Sequence, residues 1–157
     1  MEGREIQPAD IWGEDKRASL KEFLVVQSQK QSEEQKLRND LLAIQYQIED
    51  YIESENLTDR LRILDFVKLY LKTFKVSQKK LADLFEMKDS NLHKYLVGER
   101  KLNTSIVLKL SSFSHLDPEY WLRVEVKNEL FEITKEKERS NDYKKYDYRN
   151  LLIASGK

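Results

Sequence analysis

From residue 77 to residue 98 (SQKKLADLFEMKDSNLHKYLVG) apolar positions come in two short sets at helical spacing, separated by a polar interruption. Leu81, Ala82 and Phe85 form the first stripe, and Leu92, Tyr95 and Leu96 the second. The pattern predicts two short helices joined by a tight turn over residues 86–88, with Met87 turned inward. Ser77 is placed to cap the first helix through its hydroxyl, and Asp89 or Ser90 the second. Ala82 is small enough to let the second helix pack close. Gly98 suits the left-handed residue that ends a helix. Ser90, Asn91, His93 and Lys94 are left on the open side of the second helix, all able to hydrogen-bond.

The rest of the chain keeps the helical period. Residues 1–18 mix Gly, Pro and charge with Ile6, Ile11 and Trp12, and read as an unordered arm or as a partner-binding segment anchored by Trp12. Residues 19–56 read as one long helix or two, with Ser19 and Glu22 as a capping box and a break expected in the polar stretch 27–35. From Leu37 the apolar residues fall at 37, 41, 44, 48 and 51 or 52, a coiled-coil-like seam of little more than two heptads. That seam covers the central helices or forms an interface with another chain. A helix is expected over 58–74, capped by Thr58, with Leu61, Leu64, Phe66 or Val67, Leu71 and Phe74 inward and Lys68, Lys72 and Lys75 outward. A further helix follows Asn103 or Thr104 and runs to Ser112. Another opens at Asp117-Pro118-Glu119, where a cap, a first-position proline and an acidic first turn coincide. Its inward set is Trp121, Leu122, Val124 or Val126, and Leu130. Residues 132–142 are charged and expected to fray. Tyr143, Tyr146 and Tyr148 then precede Leu151, Leu152 and Ile153, an apolar run that docks back on the core or binds another chain.

Glycine occurs only at 3, 13, 98 and 156 and proline at 8 and 118, too few for hairpin turns, so the fold class is all-α. The same scarcity leaves no glycine-rich loop for a nucleotide phosphate. With 39% hydrophobic and 36% charged residues, the 157-residue chain favours small, surface-rich helical units over one thick core. It contains no cysteine, no apolar run of membrane-spanning length and no signal-peptide pattern, which predicts a cytoplasmic protein with no membrane partner. His93 and His115 lie on different elements without cysteine or an HExxH pattern, so no metal site and no other cofactor is expected. No Gly-x-Ser-x-Gly and no nucleophile–base pair stands out, so no catalytic residues and no enzyme are expected.

The formal net charge of zero hides an asymmetry. Residues 1–57 hold 7 Lys and Arg against 13 Asp and Glu, a net of −6. Residues 58–115 hold 12 against 6, a net of +6, and residues 116–157 hold 9 of each. The basic excess coincides with the two short helices, as a nucleic-acid-binding module requires.

Ser77-Gln78, Leu81-Ala82, Met87, Ser90, Leu92, Leu96 and Gly98 resemble the helix-turn-helix of Xre/Cro-type repressors. Arg100, Leu102, Asn103-Thr104, Leu108, Leu110 and Asp117-Pro118-Glu119-Tyr120-Trp121-Leu122 are similar to the HigA-type antitoxin branch, whose fifth helix opens with a Ser-Pro-Glu-Phe-Trp-like run. The resemblance covers roughly residues 59–131, under half the chain. Glu86 stands where the family prefers Gly, Lys88 where it has a capping Ser, and Glu125, Asn128 and Glu129 where the branch often has Gln, Tyr and Asp. The resemblance implies a five-helix lambda-repressor-like helix-turn-helix domain over 58–131. An acidic helical extension would occupy 1–57, and a charged, Tyr-rich tail 132–157.

The function implied is a sequence-specific transcriptional repressor, the antitoxin of a HigBA-like toxin–antitoxin module that represses its own operon and neutralises a ribonuclease toxin. A stand-alone Xre-family regulator is the alternative, and a helical interaction protein that does not bind DNA a third. The expected partners are double-stranded operator DNA, a second copy of the chain, and the toxin. Gln78 occupies the position the family uses to grip backbone phosphate, flanked by Lys79, Lys80, Arg100 and Lys101 as further phosphate contacts. Ser90, Asn91, His93 and Lys94 would read base edges, Asn91 pairing with adenine and Lys94 with guanine. Asp89 would cap the helix or accept from a cytosine amine. A single module of this size implies a dimer on a pseudo-palindrome, its half-sites about one DNA turn apart.

Overall fold

The computed structural model describes the backbone of residues 8–155 and the side chains of residues 15–153. Trp12, the expected anchor of the N-terminal arm, lies outside the described side chains, as do Ile6 and Ile11. Among the described residues the chain is all-helical. Helices α1 (Pro8–Glu53), α2 (Ile63–Phe74), α3 (Gln78–Leu84), α4 (Asp89–Leu96), α5 (Thr104–Ser114), α6 (Pro118–Arg139) and α7 (Tyr148–Ser155) follow in order, with a 3-10 turn at Asp142–Tyr146 before the last. Two compact units result, Met1–Leu42 and Ala43–Lys157.

From its first described residue, Pro8, the first unit is one unbroken helix. The break expected over 27–35 is absent. Gln, Lys and Glu dominate that stretch, and these straight-chain residues lose little rotamer freedom in a helix, so polarity without Gly or Pro does not interrupt it. Every side chain described from Asp15 to Asp40 is exposed.

In the second unit α5 packs on α6, α3 on α4, and α2 on both α4 and α6. The core takes Phe66, Val67 and Tyr70 from α2, Leu81 and Ala82 from α3, Leu92 and Leu96 from α4, Leu110 from α5, and Trp121 and Val124 from α6. Five aromatic rings tie α2, the end of α3, α5 and α6 together: Tyr70 lies 5.8 Å from Phe113 and 6.2 Å from Trp121, and Phe113 lies 5.6 Å from Phe74 and 6.0 Å from Phe85. The Trp121 Nε1–H donates to Ser114 Oγ at 3.1 Å, and that hydroxyl donates to the Leu110 carbonyl at 2.7 Å. The indole therefore enters the core with its polar atom satisfied.

The last turns of α1 belong to this unit and bury Ile44, Ile48 and Tyr51. No basic residue of its own lies in the final turn of α1, which carries Asp50 and Glu53 at the negative end of the helix dipole. Lys127 of α6 supplies the missing charge. Its ammonium donates to the carbonyls of Tyr51 and of Ser54, the latter at 2.6 Å, and lies 4.4 Å from the centre of the Tyr51 ring. Burial lowers the Lys127 pKa. Tyr51 also stacks obliquely on Phe66 and donates its hydroxyl to Asn128 Oδ1 at 2.6 Å.

Several boundaries differ from the sequence reading. The second helix begins at Ile63, not Thr58, because the Asp65 carboxylate accepts from the Arg62 N–H at 2.8 Å and caps the start there. Thr58 instead bonds to Asn56 Oδ1 through its backbone N–H at 2.8 Å, closing a local turn. Leu61 precedes the helix and is exposed, while Tyr70 replaces it in the core. In α6 the buried set is Trp121, Val124, Lys127 and Phe131, whereas Leu122, Val126 and Leu130 are exposed. That helix continues through the charged stretch to Arg139, which contains no Gly or Pro to stop it. Tyr143, Tyr146, Tyr148, Leu151, Leu152 and Ile153 are all exposed.

Candidate functional site

The polar surface singled out by the sequence is built on α3, α4 and the four residues between them. Ser77 is extended and accepts from the Lys80 N–H at 3.1 Å, which fixes the start of α3. At the other end Glu86 takes the left-handed conformation, φ 57°. The turn then closes with the Glu86 N–H on the Asp83 carbonyl at 3.1 Å and the Met87 N–H on the Ala82 carbonyl at 3.0 Å. These bonds satisfy carbonyls that a helix end leaves free, and they are the return on a conformation that ordinarily favours Gly. Ala82 and Leu81 are buried, and Met87 is half-buried.

Lys88 occupies the cap position of α4 without a side-chain cap bond, so neither Asp89 nor Ser90 is the cap. Asp89 is the first residue of the helix. Its charge suits the positive end of the dipole, and its Oδ1 accepts from Gln78 Nε2 at 2.8 Å. The same Gln78 nitrogen lies 3.4 Å from His93 Nδ1. The structure therefore joins Gln78, Asp89 and His93 across the two helices. Leu92 and Leu96 anchor α4 with no exposed surface, and Ser90 and His93 stand on the exposed side with Asn91 and Lys94 at its margins. Lys79 and Lys80 are exposed on the first turn of α3.

The two remaining candidate cations are engaged elsewhere. The Arg100 guanidinium lies over the Tyr95 ring, 5.9 Å from its centre, and the Arg100 N–H donates to the Lys94 carbonyl at 3.1 Å. Tyr95 in turn accepts from Asn103 Nδ2 at 3.2 Å, while Asn103 Oδ1 caps α5 by accepting from the Ile106 N–H at 2.9 Å. Lys101 pairs with Glu129 of α6 at 3.2 Å, at the rim of a cleft of about 320 Å³ that Arg60, Arg62, Glu125 and Glu132 also line. Glu125 accepts from the Leu102 N–H at 2.6 Å, and burial is the main cause that raises its pKa.

The sequence reading did not foresee the Gln78–Asp89 bond, the Tyr95–Asn103 bond or the burial of Lys127. An eleven-residue separation or a solitary lysine in a charged helix carries no signal of its own. Acidic groups also share the polar surface: Asp83, Glu86 and Asp89 border a shallow depression with Lys79 and Lys88. Among the described residues no cluster of His, Asp and Glu could hold a metal ion, and no helix is long and apolar enough to cross a membrane.

Comparison with known proteins gave no match to a family model, to a curated protein or to a solved structure.

Proposed function

We propose that this protein is a sequence-specific DNA-binding repressor of the helix-turn-helix class, acting as a dimer, with α4 as its recognition helix. The observation that carries the reading is α4 itself. It is held by Leu92 and Leu96 on one side, with Ser90, Asn91, His93 and Lys94 toward the other and Gln78 beside it. A helix anchored in this way can enter the major groove with its hydrogen-bonding side chains toward base edges. Lys79 and Lys80 would meet flanking phosphates, with Arg100 and Lys101 following after release from Tyr95 and Glu129. The net charge of +6 over 58–115 supports the same reading.

The more specific form, implied by the HigA resemblance, is an antitoxin that also binds a ribonuclease toxin. In its favour are the exposed apolar side chains of the N-terminal helix (Phe23, Leu24, Val25 and Val26) and of the tail (Tyr146, Tyr148 and Ile153), which offer surface to a protein partner.

The deciding experiment is co-expression with the neighbouring gene product, followed by a pull-down and a mobility-shift assay on the upstream DNA. A shift that Asn91→Ala with Lys94→Ala abolishes, without loss of a co-purified partner, supports the antitoxin. A shift without any partner supports a stand-alone repressor. Absence of both overturns DNA binding and leaves a helical interaction protein.

A further inference from the structure

The cleft that Lys101 and Glu129 border has two chemically different walls, and the spacing along α6 sets them apart. Glu125 and Glu129 lie four residues apart and form one row on that helix; Asn128 and Glu132 form the neighbouring row. The first row meets the connection after α4. There Glu125 Oε2 accepts from the Leu102 N–H, and Glu129 Oε1 pairs with Lys101. The second row meets the segment before α2. There Glu132 Oε1 accepts from Arg60 Nη1 at 2.7 Å, and Arg62 lines the same side of the cleft. One wall therefore sets Glu125 and Glu129 against the Lys101 ammonium, and the other sets Arg60 and Arg62 against Glu132.

Each internal pair leaves atoms over. Among the described residues Glu125 Oε1 and Glu129 Oε2 receive no hydrogen bond. On the opposite wall the Arg62 guanidinium reaches Asp65 only at 3.8 Å, beyond hydrogen-bond distance. Asn128 spends its Oδ1 on the Tyr51 hydroxyl and keeps its NH₂ group to donate. Burial, with Glu129 as a like-charged neighbour, raises the Glu125 pKa, so a cation seated between the two carboxylates would favour their ionised forms. Between the walls the surface is apolar, supplied by Ile63, Val97 and Ile133, the last 58% exposed. At about 320 Å³ the space lies at the low end of the range that small-molecule sites occupy.

We propose that this cleft is a binding site for a small zwitterion, an α-amino acid with an apolar side chain. Its ammonium would sit on Glu125 and Glu129, its carboxylate on Arg62 and Asn128, and its side chain against Val97 and Ile133. A purely anionic ligand would face the acidic wall, and a purely cationic one the guanidinium groups. A zwitterion answers both walls and leaves the internal pairs in place. The inference goes beyond the DNA-binding reading and does not depend on it.

The test is calorimetric titration of the full-length protein with L-leucine. Two analogues run beside it: 4-methylpentanoate, which lacks the ammonium, and 3-methylbutylamine, which lacks the carboxylate. Leucine is expected to bind saturably. Each analogue should bind roughly tenfold more weakly, because each loses one set of charged hydrogen bonds. Glu129→Gln and Arg62→Gln act on opposite walls, and each should weaken leucine binding roughly fivefold. Both side chains are partly exposed, at 39% and 44%, and unchanged thermal unfolding will show that the fold is intact. Absence of saturable leucine binding overturns the inference. Analogues that bind as well as leucine overturn it too, because they would reveal a merely apolar contact, and so does leucine binding that both variants leave unchanged. None of these outcomes bears on DNA binding, which the mobility-shift assay decides separately.

Discussion

Helix α1 carries apolar residues in its first half and in its last turns, and they meet opposite fates. Leu20, Phe23, Leu24, Val25 and Val26 are 44–58% exposed, whereas Ile44, Ile48 and Tyr51 are at most 7% exposed. Composition does not separate the two stretches; arrangement does. Residues 44, 48 and 51 follow spacings of four and three and so lie in one stripe, which a core can cover from one side. Residues 23–26 are consecutive, and at about 100° per residue they ring the helix, so no single surface can cover them. A helix can therefore be equally regular in both stretches and owe its stability to tertiary packing in only one.

The contrast can be broken first at the core. Trp121 is fully buried in the ring cluster and donates to Ser114, so Trp121→Ala should cost about 3–5 kcal/mol, read as a large fall in the thermal midpoint. Lys127→Ala should cost about 1–3 kcal/mol in urea unfolding, because it leaves the carbonyls of Tyr51 and Ser54 without their donor. Lys127→Arg, which keeps a charged donor, tests whether the loss comes from the hydrogen bonds or from the tight fit of the ammonium. Glu86→Gly should stabilise the protein by about 1 kcal/mol, because the residue sits at φ 57° where a side chain is strained.

Glu125 gives a pH signature. Its folded pKa is raised above the ordinary carboxylate value, chiefly by burial, so the folded state binds the proton more tightly than the unfolded chain. Stability from this group is present below the ordinary carboxylate pKa and is lost as pH rises through the raised value. Glu125→Gln, which keeps an acceptor for the Leu102 N–H, should flatten that part of the stability–pH curve. The smallest effect should come from the first half of α1. Phe23→Ala is expected to change the stability of the isolated chain by less than about 0.5 kcal/mol, since the ring is 58% exposed. A loss of several kcal/mol there would show that the ring of apolar residues is covered in solution.

Much of the central unit was legible before any coordinates. Ser77, Asn103 and Asp117-Pro118 mark helix starts through local chemistry that needs no distant partner, and the starts of α3, α5 and α6 follow them. The burial of Leu81, Ala82, Leu92 and Leu96 followed from spacing alone. The start of α2 was misplaced, because Thr58 and Asp65 both offer caps and the competition was decided by which backbone N–H each could reach. The inward face of α6 was partly misread because Leu122, Val126 and Leu130 look as apolar as the residues that are buried.

By itself the sequence determined an all-helical chain, its central turn and the basic segment around it, since capping, periodicity and charge are properties of neighbours along the chain. Only the tertiary structure decided that Lys127 closes the end of α1, that Gln78 holds Asp89, and that Lys101 answers Glu129. Each of these joins residues of different helices, and which polar groups meet depends on how those helices pack.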